Sequence, residues 1–191
     1  DSPSRTRDGT AGERVAPCVF VHRSPAPERS VRIADLLIGV DDMPEGWCIR
    51  RGPEEAVLEY NVDEGLWVAF ETDSPYTVTV ASHTVLRYDD LELAARVYDR
   101  YVSPSEYGGS KVPIGWTYSS PAADSYHVFC YIPPERSQCH CQWSGLYAEY
   151  IAVFLAWLIP GRMTQQDFES IVEVIDRRMA CNLDDACSDR H

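Results

Sequence analysis

The sequence predicts an α+β domain: an antiparallel sheet of about six strands in the order β-β-β-α-β-β-β-α, with helices packed on it and disulfides stapling it. Three observations carry this expectation. Short segments with period-two alternation come in two groups, bounded by Pro, Gly and Asp turns. Each group leads into a segment whose apolar residues recur at helical spacing. Seven cysteines occur without a single C-x-x-C, which points to disulfides in an exported protein rather than to zinc ribbons or thioredoxin-type redox pairs.

A chain of 191 residues suits one domain with extensions. We divide it into an extended arm over 1–30, a folded unit over 31–180 and a short acidic tail over 181–191. The arm has four Pro, four Ser and five Arg, with one apolar patch at Val19-Phe20-Val21, and no periodic pattern. Its expected role is to lie on a neighbouring subunit through Arg5, Arg7, Arg14, Cys18 and Phe20, with Cys18 the candidate odd cysteine.

Next, Leu36-Leu37 and Asp41-Asp42-Met43-Pro44-Glu45-Gly46-Trp47 fall in the pattern L-L-x-x-x-D-[DL]-[ML]-P-x-G-W. This segment resembles the opening of the folded part of many bacterial exported proteins and lipoproteins of unassigned function. The resemblance implies a short cap helix followed by an anchoring Trp, and carries no activity.

Residues 55–62 alternate, with Ala56, Leu58, Tyr60 and Val62 on one face. Asp63-Glu64-Gly65 then turns the chain into Trp67–Thr72, as in a hairpin. Residues 77–88 make a third strand. Asp89 or Asp90 caps a helix over 90–102 that turns Leu91, Ala94, Ala95 and Tyr98 inward and Arg96 and Arg100 outward. A short strand over 114–119 and a longer one over 126–132 follow.

Cys139–Trp143 leads into Leu146–Ile159, the most apolar run of the chain, with Glu149 its one charge. We read this run as a central strand covered on both faces, with a buried helix as the competing reading. It falls short of the roughly 20 apolar residues that cross a bilayer. Thr164-Gln-Gln-Asp167 resembles a capping box with Asp in the third position, opening a helix through about residue 180. In element order the chain is similar to the α+β sandwich of the PsbP-like proteins of the thylakoid lumen and of small actinobacterial lipoproteins.

The net charge of −13 argues against nucleic acid as a partner, because phosphate binding needs a basic surface. No Lys or Arg occurs between Gly52 and Leu86, whereas Glu54, Glu55, Glu59, Asp63 and Glu64 do. They are read as a solvated acidic face, with a docking surface for a basic partner or a weak Ca²⁺ site, lacking the spacing of an EF-hand loop, as the sharper readings. The cysteines predict a bridge from Cys130 to Cys139 or Cys141, with the remaining one reaching Cys48, and a Cys181–Cys187 bridge closing the tail.

Catalytic signals are sparse. Cys139-His140-Cys141 cannot converge on one metal in a strand, because His140 points to the opposite face. No H-E-x-x-H or G-x-S-x-G occurs. Gly108-Gly109-Ser110-Lys111 lacks the spacing of a phosphate loop. Asp41-Asp42 and Asp184-Asp185 sit where Asp is routine. No cofactor or metal is expected.

The first functional expectation is a non-catalytic extracytoplasmic accessory or scaffold subunit, docked by its arm and acidic face onto protein subunits of a larger membrane-associated assembly. The chain opens at Asp1, as a processed export product would, and any anchor is expected outside it. The alternative is a ligand-binding or sensor domain with a pocket lined by Tyr98, Tyr101, Trp116 and Tyr118. The third reading is a hydrolase pairing His83 with Asp89 or Asp90.

Overall fold

A computed structural model describes residues 25–56, 62–72, 80–102, 110–112, 115–134 and 136–183. The architecture is α+β. Helix α1 (Ile33–Leu36) and a 3-10 turn (Val40–Asp42) precede strands β1 (Trp47–Glu55), β2 (Glu64–Thr72) and β3 (Val80–Arg87). Helix α2 (Leu91–Tyr101) then leads to β4 (Ser110–Val112), β5 (Ser125–Ile132), β6 (Cys139–Tyr147) and β7 (Tyr150–Leu158), and α3 (Gln165–Leu183) closes the described chain. The strands form one antiparallel sheet in the order β1-β2-β3-β7-β6-β5-β4. Six strands are long and β4 is a three-residue edge. The chain thus builds two meanders and joins them at the central β3–β7 pair.

Strand alternation gives the sheet two apolar faces. One carries Val68, Phe70, Val85, Cys141, Trp143, Phe154 and Ala156 and packs against α1 and the Phe168, Ile171, Val172, Ile175 and Met179 stripe of α3. The other carries Leu86, Ile151 and Val153 and packs against Ala94, Val97 and Tyr98 of α2. An eleven-residue helix spans only about 16 Å. Among the described helices α2 is the one on this face, where it packs on β6 and β7.

Both long helices start where local chemistry places them. Asp90 accepts a hydrogen bond from the Leu93 backbone N–H at 2.9 Å and caps α2. At α3 the Thr164 N–H donates to Asp167 Oδ2 at 2.8 Å and the Asp167 N–H donates to Thr164 Oγ1 at 3.1 Å. That is the reciprocal capping box, made with Asp. Trp47 is buried and its indole N–H donates to the Arg162 carbonyl at 3.1 Å.

The structure corrects three strand expectations. The apolar run 146–159 is two strands: β6 ends at Tyr147, Ala148 and Glu149 turn the chain, and β7 begins at Tyr150. Ala148 takes a positive φ of 51°, and its N–H donates to Asp124 Oδ2 at 2.6 Å. The first strand runs over 47–55 rather than 55–62, crossing Gly52-Pro53 at a register shift. Gly52 has a φ of 89°, and a Cβ there would lie 2.5 Å from the Trp67 carbonyl oxygen, so only glycine fits this crossing. Residues 115–120 form no strand. Of the expected alternating positions, Leu58 and Tyr60 lie outside the described residues.

The single charge of the apolar run explains how the turn is held. Glu149 is fully buried, and its Oε1 accepts from Arg29 Nε at 2.8 Å. Arg29 Nη1 also donates to the Leu183 carbonyl at the end of α3. A segment preceding α1, the β6–β7 turn and the α3 terminus therefore meet at one ion pair. Removing one partner of a buried pair leaves an uncompensated charge, at a cost of about 3–5 kcal/mol. Because Arg29 is partly exposed, we expect Arg29→Ala to destabilise the fold by about 3 kcal/mol, measured by urea unfolding at pH 7. A loss under about 1 kcal/mol, the level of a surface pair, would show that the pair does not hold the turn.

Candidate functional site

The residues expected to line a ligand pocket do not come together. Tyr98 and Tyr101 belong to α2 and its face of the sheet. Trp116 and Tyr118 lie across the sheet with the α3 cluster. There the Trp116 ring packs edge-on to Phe168 with centroids 6.0 Å apart, and the Tyr118 hydroxyl donates to Asp176 Oδ2 at 2.8 Å. Buried Asp176 also accepts from Tyr147 at 2.7 Å and from Ser120. Those contacts make it a packing node between α3 and the sheet. Burial and the neighbouring Asp176 carboxylate hold both phenols above their ordinary pKa, Tyr118 and Tyr147 alike.

The hydrolase pair does not form either. His83 faces α1 and α3, is fully buried, and accepts the Ile38 N–H at Nδ1 over 3.2 Å. Its proton therefore sits on Nε2. Asp89 lies six residues farther along an extended chain, about 20 Å away, and the Asp90 carboxylate caps α2. Burial first, and the Arg178 charge second, push the His83 pKa down to about 3.

Three acids of this region are paired from just outside the window that lacks basic residues. Arg51 pairs with Glu54 at 2.9 Å, Arg50 with Glu71 at 3.6 Å and Arg87 with Asp63 at 3.8 Å. Glu55 and Glu64 are on this edge too. Glu59 and the arm residues Arg5, Arg7, Arg14, Cys18 and Phe20 lie outside the described residues.

Cys130 and Cys141, directly opposed on β5 and β6, form a disulfide. Cys139 and Cys48 are free thiols, which corrects the expected bridge to Cys48. Cys48 is on edge strand β1, four strand positions from β6, or about 19 Å at the usual strand spacing. Cys181, a residue of α3, is disulfide-bonded, while Cys187 lies outside the described residues.

What the structure does assemble is a groove of about 470 Å³ on the α2 face, open to solvent. Val153 and Leu155 of β7, Thr84 of β3 and Trp67 of β2 line its floor; Arg51 and Glu54 of β1 form one wall and Tyr101 of α2 the other. Arg51 lies over the Trp67 ring, 5.5 Å from its centroid, while its Nε donates to Glu54. Of the four expected ligand-pocket residues, Tyr101 alone lines this groove. On the far side of α2 the same face continues as an aromatic row. Phe129 stacks near Tyr131, Tyr131 meets His140 edge-on, and the His140 ring is 4.7 Å from Trp157. Burial lowers the His140 pKa to about 4, and its Nδ1 is 3.0 Å from the Tyr131 hydroxyl.

The groove was missed because four strands and a helix supply it, so no local spacing announces it. The available signal was parity: Val153 and Leu155 alternate with Phe154, and Trp67 alternates with Val68. No known protein family, curated protein or solved structure matches the chain.

Two neutral histidines, His83 fully buried and His140 half-buried, set an acid limit. Above pH 6.5 they are uncharged in both states. Below it the unfolded chain takes up protons that folded His83 and His140 refuse until about pH 3 and 4, so stability is lost as pH falls through this window. For His83 the slope is about 1.4 kcal/mol per pH unit. His83→Asn, which keeps an acceptor for the Ile38 N–H, is expected to flatten the fall in urea-unfolding free energy between pH 6 and pH 4.5 by about that slope. An unchanged slope would show that His83 titrates normally.

Proposed function

We propose that this chain is a non-catalytic extracytoplasmic accessory domain that docks a protein partner in the groove between β1 and α2. The single observation behind this reading is the groove itself: an apolar floor of Val153, Leu155 and Trp67 under a charged wall of Arg51 and Glu54. Such a surface suits an apolar anchor side chain flanked by polar groups, the usual anatomy of a docking interface. The catalytic candidates are otherwise occupied: His83 is sealed in the core, Asp90 caps a helix and Asp176 is bonded by three hydroxyls.

The extracytoplasmic part of the proposal rests on the Cys130–Cys141 disulfide and the bonded Cys181, since such bridges persist in oxidising compartments. No helix among the described residues is long and apolar enough to cross a membrane.

A second reading, a small-ligand or sensor domain, uses the same groove, whose volume lies within the roughly 300–1,000 Å³ usual for ligand pockets. The open side favours the protein partner, because a small molecule there stays largely in water.

Leu155→Arg places a charge on the groove floor at a half-buried position. We expect the variant to keep its far-UV circular dichroism and to lose the cross-linked adduct that wild type forms in its native envelope fraction. An equal adduct in both would contradict the reading. Loss of a co-purifying small molecule, seen by native mass spectrometry, would replace it with the sensor reading.

A further inference from the structure

Independently of the groove, the cysteines of β5 and β6 make a cluster that the disulfide alone does not use. The Sγ atoms of Cys130, Cys139 and Cys141 all lie within 4.8 Å of one another, with Cys139 and Cys141 3.9 Å apart. Strand geometry produces this. Positions two apart on β6 point to the same face, and the opposed β5 residue stands beside them. Cys130 and Cys141 are buried, while Cys139 is half-exposed at the start of β6 and opens the cluster to solvent. On the same face the register places Val112 of β4 beside Cys130, and Ala156 and Leu158 of β7 beside Cys141 and Cys139.

We propose that these three cysteines are a redox-gated site for one Cu(I) ion, closed while Cys130 and Cys141 are joined and open once they are reduced. The first step needs a dithiol reductant. It delivers two electrons and two protons to the Cys130–Cys141 bond, breaks it into two thiols, and leaves as its own disulfide. Cu(I) then binds the three sulfurs and displaces their three protons. Metal–sulfur bonds of about 2.3 Å in a trigonal plane put the sulfurs about 4.0 Å apart, the separation Cys139 and Cys141 already have. A soft thiolate set suits Cu(I), as it does Zn(II). Zn(II) favours a fourth ligand, and no His, Asp or Glu among the described residues joins the cluster.

The layout also separates metal binding from simple thiol exchange. To attack Cys141 in line, Cys139 would stand on the extension of the disulfide, about 6 Å from Cys130 given a bond of about 2.05 Å. It lies within 4.8 Å, to the side. The three sulfurs form a triangle, not a line.

The test uses the full chain carrying Cys48→Ser, which removes the exposed free thiol among the described residues while leaving the cluster intact. Protein reduced with a phosphine and kept anaerobic is titrated with Cu(I) against bicinchoninate, beside an oxidised sample and a Cys48→Ser/Cys139→Ser variant. Cys139→Ser spares the disulfide, so the oxidised variant folds as its parent does. The expected result is one tightly held Cu(I) per reduced chain, three sulfur ligands by X-ray absorption, and no binding when oxidised. The Cys139→Ser variant should bind at least about 100-fold more weakly. Equal retention with and without Cys139, no retention by the reduced chain, or loss of its far-UV circular dichroism would overturn the proposal. So would mass mapping that finds Cys139 transferred into a disulfide with Cys130.

Discussion

The fold depends on one buried ion pair. The tightest turn in the sheet, between β6 and β7, carries Glu149 into the interior, where a carboxylate without a partner costs several kcal/mol. Arg29 reaches it from the segment preceding α1 and also holds the last carbonyl of α3. The Glu149 backbone carbonyl accepts the Tyr88 N–H at 2.9 Å, tying the same turn to the end of β3. Sequence-distant parts are thereby fixed around the β3–β7 pair that joins the two meanders. Arg178 does a similar job at the other end of the helix layer. It donates to Asp42 Oδ2 at 2.8 Å and to the Leu37 carbonyl, so that α3 grips α1 and the 3-10 turn.

The consequence is a sheet whose faces have different fates. The face under α1 and α3 is tightly packed at its centre: Trp143, Phe154 and Ile175 have no exposure, and polar groups that enter it, such as His83 and Asp176, serve packing. Even its glycine is packed, since a Cβ on Gly145 would meet the Trp143 ring at 2.6 Å. The opposite face has α2 across its middle, with the Trp67 groove on one flank and the His140–Trp157 row on the other. Apolar surface left between polar walls is what recognition by docking requires. Charge is partly offset here: of the acids that look like a patch in the sequence, Glu54 pairs with Arg51 and Asp63 with Arg87.

Features set by neighbours in sequence were legible. The caps at Asp90 and Thr164, the amphipathic stripes of α2 and α3 and the parity of Cys139 and Cys141 follow from spacing alone. The β6–β7 hairpin was not legible, because Ala148 takes the positive φ that glycine normally signals, and a hydrogen bond from distant Asp124 fixes the turn. Strand β1 was hidden for the opposite reason: Gly52-Pro53 reads as a breaker, yet the strand bulges and continues. The pairing of Glu149 with Arg29, 120 positions away in the chain, and the convergence of four strands on one groove are tertiary facts with no local pattern.

The centre of one sheet face is buried under α1 and α3, while the α2 face leaves apolar surface open beside the helix. Carbene footprinting of the intact chain, read at Trp47, Trp67, Trp143 and Trp157 by mass spectrometry, tests it directly. Trp67 and Trp157 are on the α2 face and half-exposed, while Trp143 and Trp47 are buried under the helix layer. The account predicts clear labelling of Trp67 and Trp157 with Trp143 and Trp47 protected. Protection of Trp67 equal to that of Trp143 would mean the face is covered, and would contradict it.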